Sequence, residues 1–572
     1  MRIKVINWII FFLFLFLSLA VLNLQLINGR RYWQLSNKNC IRLLPQEGCR
    51  GNILDRQGKV IVGNKLSYDL AIIPQDKVQI EKALLAASRV LGRDVDELGR
   101  NFKNGFIAPF APVVIARDIE VRQAIALEEL RPDIANITIQ MRPVRDYPYG
   151  KFGCHIFGYL NEIDRRRLTK LSDYGYQTKD IVGFGGLEEK YDYYLRPEKG
   201  GLSLEVDHRG KFVRILGFKP PHDGKDIQLT VDLDIQKIVE NNLVDRQGSV
   251  IIMDPSSGEI IAMASAPNFN PKLFVKKTSP ATLRNLFNDP RAPLVNRAIS
   301  GVYPPGSVFK LVMAYGALDT KKMSTNKTFF CPGSMYVGRR EFKCWDIHQR
   351  QNLFGAIIHS CDVFFYHTGL IIGAQAIHDY ALRFGFGKVT AIDLPYESSG
   401  FVPSPLWKKI RRLSNWFDGD TANLSIGQGD LMVTPIQTVR MVAVFANKGS
   451  LVKPYLVKSI DGRDISVYQR VPSGTKFKEA TIEYIADAMR STVSEPTGTA
   501  NILAIFGVQV AGKTGTVQVP HGQTHAWFIG FFPFKNPKFA ICVFLEHGGS
   551  GQAACMLTRR IIEEMLKQGL IR

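Results

Sequence analysis

Ser307 is followed three residues later by Lys310 in the stretch "YPPGSVFKLVMAYGAL". A hydroxyl and an amine at that spacing share one face of a helix. A serine hydroxyl is a weak nucleophile until a nearby base takes its proton. A lysine serves as that base where burial or a second cation lowers its pKa. Alone, the pair reads as well as a capped helix beside a solvated lysine. Two further groups shift that balance. "HSCDVFFY" supplies Ser360 and Asp362 ahead of an apolar helix, and "AGKTGTVQV" supplies Lys513, Thr514, Gly515 and Thr516 on a strand. A glycine inside a strand makes sense where something approaches the backbone closely.

A second constellation overlaps the first. Cys331, Cys344, His348 and Cys361 are separated by twelve, three and twelve residues. Three thiolates and one imidazole make a closed tetrahedral zinc set, structural rather than catalytic. Cys361 lies between Ser360 and Asp362, so a metal there would brace the site from behind. A Cys331–Cys344 disulfide and buried free thiols are the competing readings. Asp346 and His359 are possible substitute ligands. Eight cysteines in 572 residues are too few for a disulfide scaffold.

The elements that must position these groups follow from pattern. At 572 residues two or more domains are expected. The net charge is +21 and the apolar fraction 45%. A basic excess points to an anionic membrane surface or nucleic acid, or equally to a generally basic proteome. No Lys/Arg block with interleaved aromatics appears, so nucleic acid is set aside. The opening segment runs apolar from Val5 to about Ile27, behind Arg2 and Lys4. That length crosses a ~30 Å hydrocarbon core. The apolar run continues past the small-residue "SLA" site, which favours an uncleaved anchor over a signal peptide. No second comparable span follows, so the remainder lies on one side of the membrane, outside the cytoplasm.

Three parts are expected: 1–28 as cytoplasmic stub and anchor, 29–225 as a non-catalytic pedestal, 226–572 as the catalytic domain. In the pedestal, "GNILDRQGKVIVGNKLSYDLAII" reads as short strands broken by a "DRQG" turn. "QIEKALLAASRVLG" and "DIEVRQAIALEEL" have helical spacing. In the last part, "SVIIMDPSSGEIIAMAS" reads as a hairpin. "VQVAGKTGTVQV", "HAWFIGFFP" and "FAICVFLEH" read as strands, and "TRRIIEEMLKQGL" as a closing helix. Strands first, helices inserted and strands last predict an α+β fold with the terminal segments in one sheet.

The order S-x-x-K, S-x-D, K-T-G resembles the active-site motifs of penicillin-binding proteins. "CRGNILDRQG", "RDYPYGKFGCHIFGYL" and "GLEEKYDYYLRPEKG" resemble pedestal segments of class B members. "DPSSGEIIAMASAPNFNPKLF", "LSIGQGDLMVTPIQ" and "HAWFIGFFP" resemble segments of their transpeptidase domain. The similarity covers nearly the whole chain, and no glycosyltransferase domain precedes the pedestal. Most of the family ends the middle motif in Asn. Asp362 points to the penicillin-binding protein 2 branch, the elongation transpeptidases. A carboxylate beside Lys310 and Lys513 would hold both ammoniums and oppose deprotonation of Lys310.

The resemblance implies a membrane-anchored D,D-transpeptidase with a central antiparallel sheet flanked by helices. It implies Ser307 as nucleophile toward D-Ala-D-Ala stem peptides of peptidoglycan, Lys310 as base and Ser360 as proton relay. The N–H groups of Ser307 and Thr516 would form the oxyanion hole, and Lys513, Thr514 and Thr516 would bind the terminal carboxylate. It implies β-lactams as inhibitors and a RodA-type glycosyltransferase as partner. It also implies single-pass anchoring in the bacterial inner membrane with the catalytic domain in the periplasm, and it supports zinc at the cysteine cluster. Alternatives are a septal transpeptidase, a non-enzymatic β-lactam sensor or scaffold, and a serine β-lactamase. The intact Ser307, Lys310 and Lys513 argue against the inactive scaffold. A lactamase needs a deacylating base, and no E-x-x-L-N segment lies between the middle motif and K-T-G.

Overall fold

The computed structural model describes residues 2–32, 41–74, 77–106, 112–134, 136–206, 212–275, 278–469, 474–519 and 522–571. Cys40 lies outside the described residues. The chain begins with α1 (Arg2–Leu22), which continues through a wider turn at Asn23–Ile27. Ile3–Ile27 is 25 residues long with a mean hydropathy of 2.7. At 1.5 Å per residue it reaches about 37 Å, enough to cross a bilayer. Among the described residues it is the one helix with that length and composition.

The chain divides into two compact units, and they do not run in sequence order. One contains 1–50, 64–144 and 196–224; the other contains 51–63, 145–195 and 225–572. In the first, Leu70 and Ile72 of β1 (Val60–Ile72) lie in one core with Ala83 and Ala87 of α2 (Lys77–Leu91). Leu98 of α3 (Val95–Gly105), Ile115 of β2 (Val113–Ile119) and Leu127 of α4 (Val121–Glu129) complete it. The helical spacing predicted for α2 and α4 is thus realised. Asp94 caps α3 by accepting from Asp96 N–H.

In the second unit the "DRQG" segment forms the turn read from sequence. Asp55 Oδ1 accepts from the N–H groups of Gln57 and Lys59, both at 2.8 Å, and Gly58 takes φ 87°, where glycine carries no Cβ penalty. Arg145 and Glu188 form an ion pair at 2.7 Å with 1% and 0% side-chain exposure. Arg145 also donates to Gly51 O at 2.7 Å. This ties together three segments far apart in sequence.

The same unit holds the central sheet. Its strands are β3 (Gly248–Met253), β4 (Ile260–Ala266), β5 (Ala511–Val517), β6 (His525–Phe532) and β7 (Phe539–Leu545). Their spatial order is β4-β3-β7-β6-β5, and every pairing is antiparallel. The predicted hairpin is β3–β4, and β3 pairs with β7, Ile251 opposite Cys542. Strands from both ends of the segment therefore share one sheet, as expected.

The strands read as continuous apolar runs because both faces are covered. Ile251, Met253, Trp527, Ile529, Cys542 and Phe544 join one core; Val250, Ile252, Phe528, Ile541 and Val543 join another. The alternation is the period-2 pattern of a strand. The first core includes α6 (Lys310–Asp319), α8 (Asp362–Ile372) and α10 (Pro435–Ala446). The second includes α5 (Leu233–Asn242) and the closing helix α11 (Gly551–Lys567). Between α6 and α8 lies the short α7 (Leu353–Ile358), and α9 (Asp418–Ser425) precedes α10. Thr434 and Gln437 form a capping box on α10, with Pro435 at its first position.

Glu188→Ala leaves the Arg145 guanidinium buried without its carboxylate. Stability is expected to fall by about 3–5 kcal/mol, read as a lower denaturant midpoint in chemical unfolding. Removing both charges, as in Arg145→Met with Glu188→Leu, is expected to recover most of that loss.

Candidate active site

Ser307 sits in a tight turn, Gly306–Phe309, that runs directly into α6. Four backbone contacts fix this turn. Gly306 N–H donates to Gly427 O at 2.9 Å, and Tyr303 exchanges two 2.9 Å bonds with Val433. Trp527 Nε1 donates to Pro304 O at 3.1 Å. The fourth contact involves Gly515. A Cβ there would stand 3.1 Å from Val308 Cγ1 and 3.2 Å from Pro305 O. This is the close approach that a glycine inside a strand suggested. Gly427 is tighter still: at φ 72°, its Cβ would fall 2.2 Å from Gly306 O. The turn is therefore clamped between "LSIGQGD" and β5, and Ser307 is half-buried.

Lys310 is wholly buried. Its Nζ donates to Ser360 O at 2.8 Å, Asp362 Oδ1 at 2.7 Å and Ser360 Oγ at 3.2 Å. Three donors meet three acceptors, which is the full capacity of an ammonium. No hydrogen bond joins Lys310 Nζ to Ser307 Oγ among the described residues. Ser360 has φ 54°, a left-handed conformation unusual for a residue with a Cβ and common at active sites. Cys361 then caps α8, its Sγ accepting from Phe364 N–H at 3.4 Å. Asp362 thus lies in the first turn of a helix, where the dipole favours an anion. Burial raises its carboxyl, while Lys310 and Lys513 pull the other way.

Lys513 is buried completely, and its Nζ donates to Thr514 O at 3.2 Å. Burial, reinforced by the positive Lys310, pushes its pKa well below the ordinary value of 10.5. Thr514 is buried and donates to Thr499 Oγ1 at 3.0 Å. Thr516 is exposed, and its Oγ1 accepts from Gly551 N–H at 2.9 Å. β5 is an edge strand of the sheet, so its outer side is open to an extended peptide. Ser307 N–H, in the first turn of a helix, lacks an intrahelical partner.

The cysteine cluster is also assembled. The ligand atoms of Cys331, Cys344, His348 and Cys361 all lie within 4.8 Å of one another. His348 Nδ1 is 3.4 Å from Cys344 Sγ and 3.7 Å from Cys331 Sγ. A tetrahedron with ~2.3 Å metal–sulfur bonds has edges of about 3.7 Å, so these spacings fit zinc. Asp362 N–H points at Cys344 Sγ, 3.2 Å away, a donor suited to a thiolate. No disulfide joins the described cysteines. His359 is not in the cluster: its ring nitrogens meet Gln351 Oε1 and Thr497 Oγ1. Asp346 is not either; its Oδ1 accepts from Ile347 N–H.

Thr499, Trp527 and Gly427 carry no mark of a role at the site in the sequence alone. Trp527 and Gly427 lie inside segments singled out by resemblance, but their contact with the nucleophile turn needs the fold. Thr499 had no signal beyond its place in a polar loop.

Residues 248–564 match the family described as the penicillin binding protein transpeptidase domain, more than half of the chain. The chain belongs to the penicillin-binding protein family. Residues 45–229 match the penicillin-binding protein dimerisation domain. The chain is 30% identical to the Escherichia coli (strain K12) protein named peptidoglycan D,D-transpeptidase MrdA, over 95% of this chain and 90% of that one. It is 32% identical to the Salmonella typhimurium (strain LT2) protein of the same name, over 95% and 92%. Among solved structures it resembles the penicillin-binding protein (PBP2) of Helicobacter pylori in complex with MreC. There the TM-score is 0.84 at 25% identity, covering 93% of this chain and 99% of that one.

In this penicillin-binding protein Lys513 works against folding. Its folded pKa is below 10.5, so between those two values the unfolded chain binds more protons and stability rises with pH. The burden is largest at low pH and vanishes above about 10.5. Lys513→Met is expected to raise the thermal midpoint, by about 2–4 °C for each kcal/mol recovered. It should lower acylation by labelled penicillin roughly 10²-fold or more. Calorimetry and gel fluorescence on one preparation check both.

Proposed function

We propose that this chain is a peptidoglycan D,D-transpeptidase that cross-links stem peptides during lateral wall elongation. The observation that carries the reading is the clamped Ser307 turn, packed on the Lys513–Thr516 strand and followed by a Lys310 bonded to Ser360 and Asp362. The relatives named D,D-transpeptidase support it. Asp362 and the cysteine cluster support the elongation branch.

A donor stem peptide lies along the free edge of β5, its terminal carboxylate at Lys513, Thr514 and Thr516. The anion's arrival gives Lys513 a charged partner beside the Thr514 carbonyl and favours its charged form. Ser307 Oγ attacks the carbonyl between the two D-alanines. The N–H groups of Ser307 and Thr516 receive the oxyanion. Before Lys310 can take the Ser307 proton it must surrender one of its own three. Asp362 Oδ1 is the acceptor in reach that can hold it as a neutral acid; Ser360 Oγ can take a proton from Lys310 only as it gives up its own. Ser360 then passes its hydroxyl proton to the leaving amine and is refilled by the proton that Lys310 took from Ser307, and D-alanine departs. An amine of a neighbouring stem takes the acyl group and frees Ser307. β-Lactams follow the first half of this path and remain on Ser307.

The chain is a single-pass membrane protein through Ile3–Ile27, held in the inner membrane with the catalytic unit in the periplasm. A RodA-type glycosyltransferase supplies its glycan strands, and an MreC-like protein docks on it as on the Helicobacter pylori neighbour. Cys331, Cys344, His348 and Cys361 would hold a structural zinc. Its role would be structural: Cys361 would be fixed as a ligand, and with it Ser360 and Asp362, while the reaction's steps fall to the chain's own residues.

Labelled penicillin is expected to give a stable adduct on the full-length chain that vanishes in Ser307→Ala. Rapid turnover of the antibiotic would instead show a lactamase. Elemental analysis is expected to find about one zinc per chain, with Cys331→Ser abolishing it and lowering the thermal midpoint. A zinc-free preparation with a Cys331–Cys344 disulfide would sink the metal reading.

A further inference from the structure

Trp345 stands between Cys344 and Asp346 and is 60% exposed. An exposed indole ordinarily leaves its N–H to water. Here Nε1 points inward and is shared between two carbonyls, His359 O at 3.1 Å and Ser360 O at 3.2 Å. The second is the same oxygen that accepts from Lys310 Nζ at 2.8 Å. One carbonyl oxygen thus carries the Lys310 ammonium on one lone pair and the Trp345 indole on the other.

That oxygen belongs to a residue in an uncommon conformation. Ser360 has φ 54°, and a left-handed non-glycine residue persists where its surroundings hold it. Its N–H bond to Ile357 O is long, 3.3 Å. His359, the residue before it, is held at its side chain by Gln351 and Thr497. The Ser360 carbonyl itself has two partners, Lys310 and Trp345. Lys310 must change its bonding during the reaction, because it exchanges protons. Trp345 has no such duty. The indole ring is itself set by an edge-on contact with His348, 5.1 Å between centroids.

We infer that Trp345 is a positioning residue for acyl transfer. It holds the Ser360 carbonyl toward Lys310 while Lys310 gives and takes protons, and so keeps Lys310 and Ser360 Oγ in register with Ser307. The inference rests on the transpeptidase reading above. Trp345 touches no reacting atom. Its effect passes through the peptide group that joins Ser360 to Cys361: the Cys361 N–H holds one side on Ala356 O at 3.1 Å, and Trp345 holds the carbonyl side toward Lys310.

The test is saturation kinetics of acylation by labelled penicillin on the full-length chain in detergent. It separates the binding constant K from the chemical step k2. Trp345→Phe keeps a ring and loses the N–H. Its k2 is expected to fall about five- to tenfold, the effect of one ordinary hydrogen bond. K should stay within about twofold, and the thermal midpoint within about 2 °C, as for a substitution that keeps its packing. Trp345→Ala should lose no more of k2 than Trp345→Phe. An unchanged k2 in Trp345→Phe overturns the inference. So does a weaker K at constant k2, which would make the ring a ligand-stacking surface. A k2 lost in Trp345→Ala and kept in Trp345→Phe overturns it too, because packing rather than the N–H would then matter. A wild-type chain that takes no label on Ser307 overturns the transpeptidase reading, and this inference with it.

Discussion

The site hangs on one buried ammonium. Lys310 Nζ spends all three hydrogens on the middle motif, two on Ser360 and one on Asp362. A buried charge is tolerable only when paired and hydrogen-bonded, so Ser360 and Asp362 have little freedom in where they can lie. The left-handed backbone at Ser360 and the start of α8 at Cys361 bring those acceptors to Lys310. Lys513, equally buried, has a single weak backbone acceptor and shifts toward neutrality instead. Two lysines of one motif set are thus given different partners by what surrounds them.

The second constraint is steric. The nucleophile turn is held by surfaces that can meet it only because two residues lack a side chain. Gly427 lets the backbone of Gly306 approach, and Gly515 lets Pro305 and Val308 lie on the strand. Packed interiors do not deform continuously, so this contact transmits the position of the sheet to Ser307. The sheet in turn is fixed by apolar cover on both faces. The chain of dependence runs from apolar strands, to sheet, to turn, to hydroxyl.

Much of this was legible in the residues. Apolar runs around Val250, Phe528 and Val543 marked buried strands, and "DPSSG" marked the hairpin. The misplaced-looking Gly515 announced a close approach, though not what approached. The spacing of Cys331, Cys344, His348 and Cys361 marked them as one group, and they meet. Other features were out of reach for physical reasons. Which backbone packs on Gly515 depends on Pro305, some two hundred residues away. Asp362 announced a carboxylate on Lys310, as found, but that it hydrogen-bonds Lys310 and not Lys513 among the described residues depends on the fold. Neither is a property of a short motif. Asp346 and His359, plausible ligands by type, find other partners because the local turns point them elsewhere.

The two compact units are interleaved along the chain. Residues 51–63 and 145–195 belong with 225–572, and the stretches between them belong to the other unit. β3 likewise pairs with β7, which follows nearly three hundred residues later. Long-range pairings of this kind carry a large loop-closure cost and fold slowly. During synthesis, at roughly 5–20 residues per second, the earliest segments of the catalytic unit emerge many seconds before their partners exist. In that interval β3 and β4 can pair only with each other, and the other edge of β3 and the apolar faces of the hairpin stay exposed. The architecture that gives Ser307 a rigid seat therefore obliges the cell to keep the unfinished chain unaggregated until its last strand arrives.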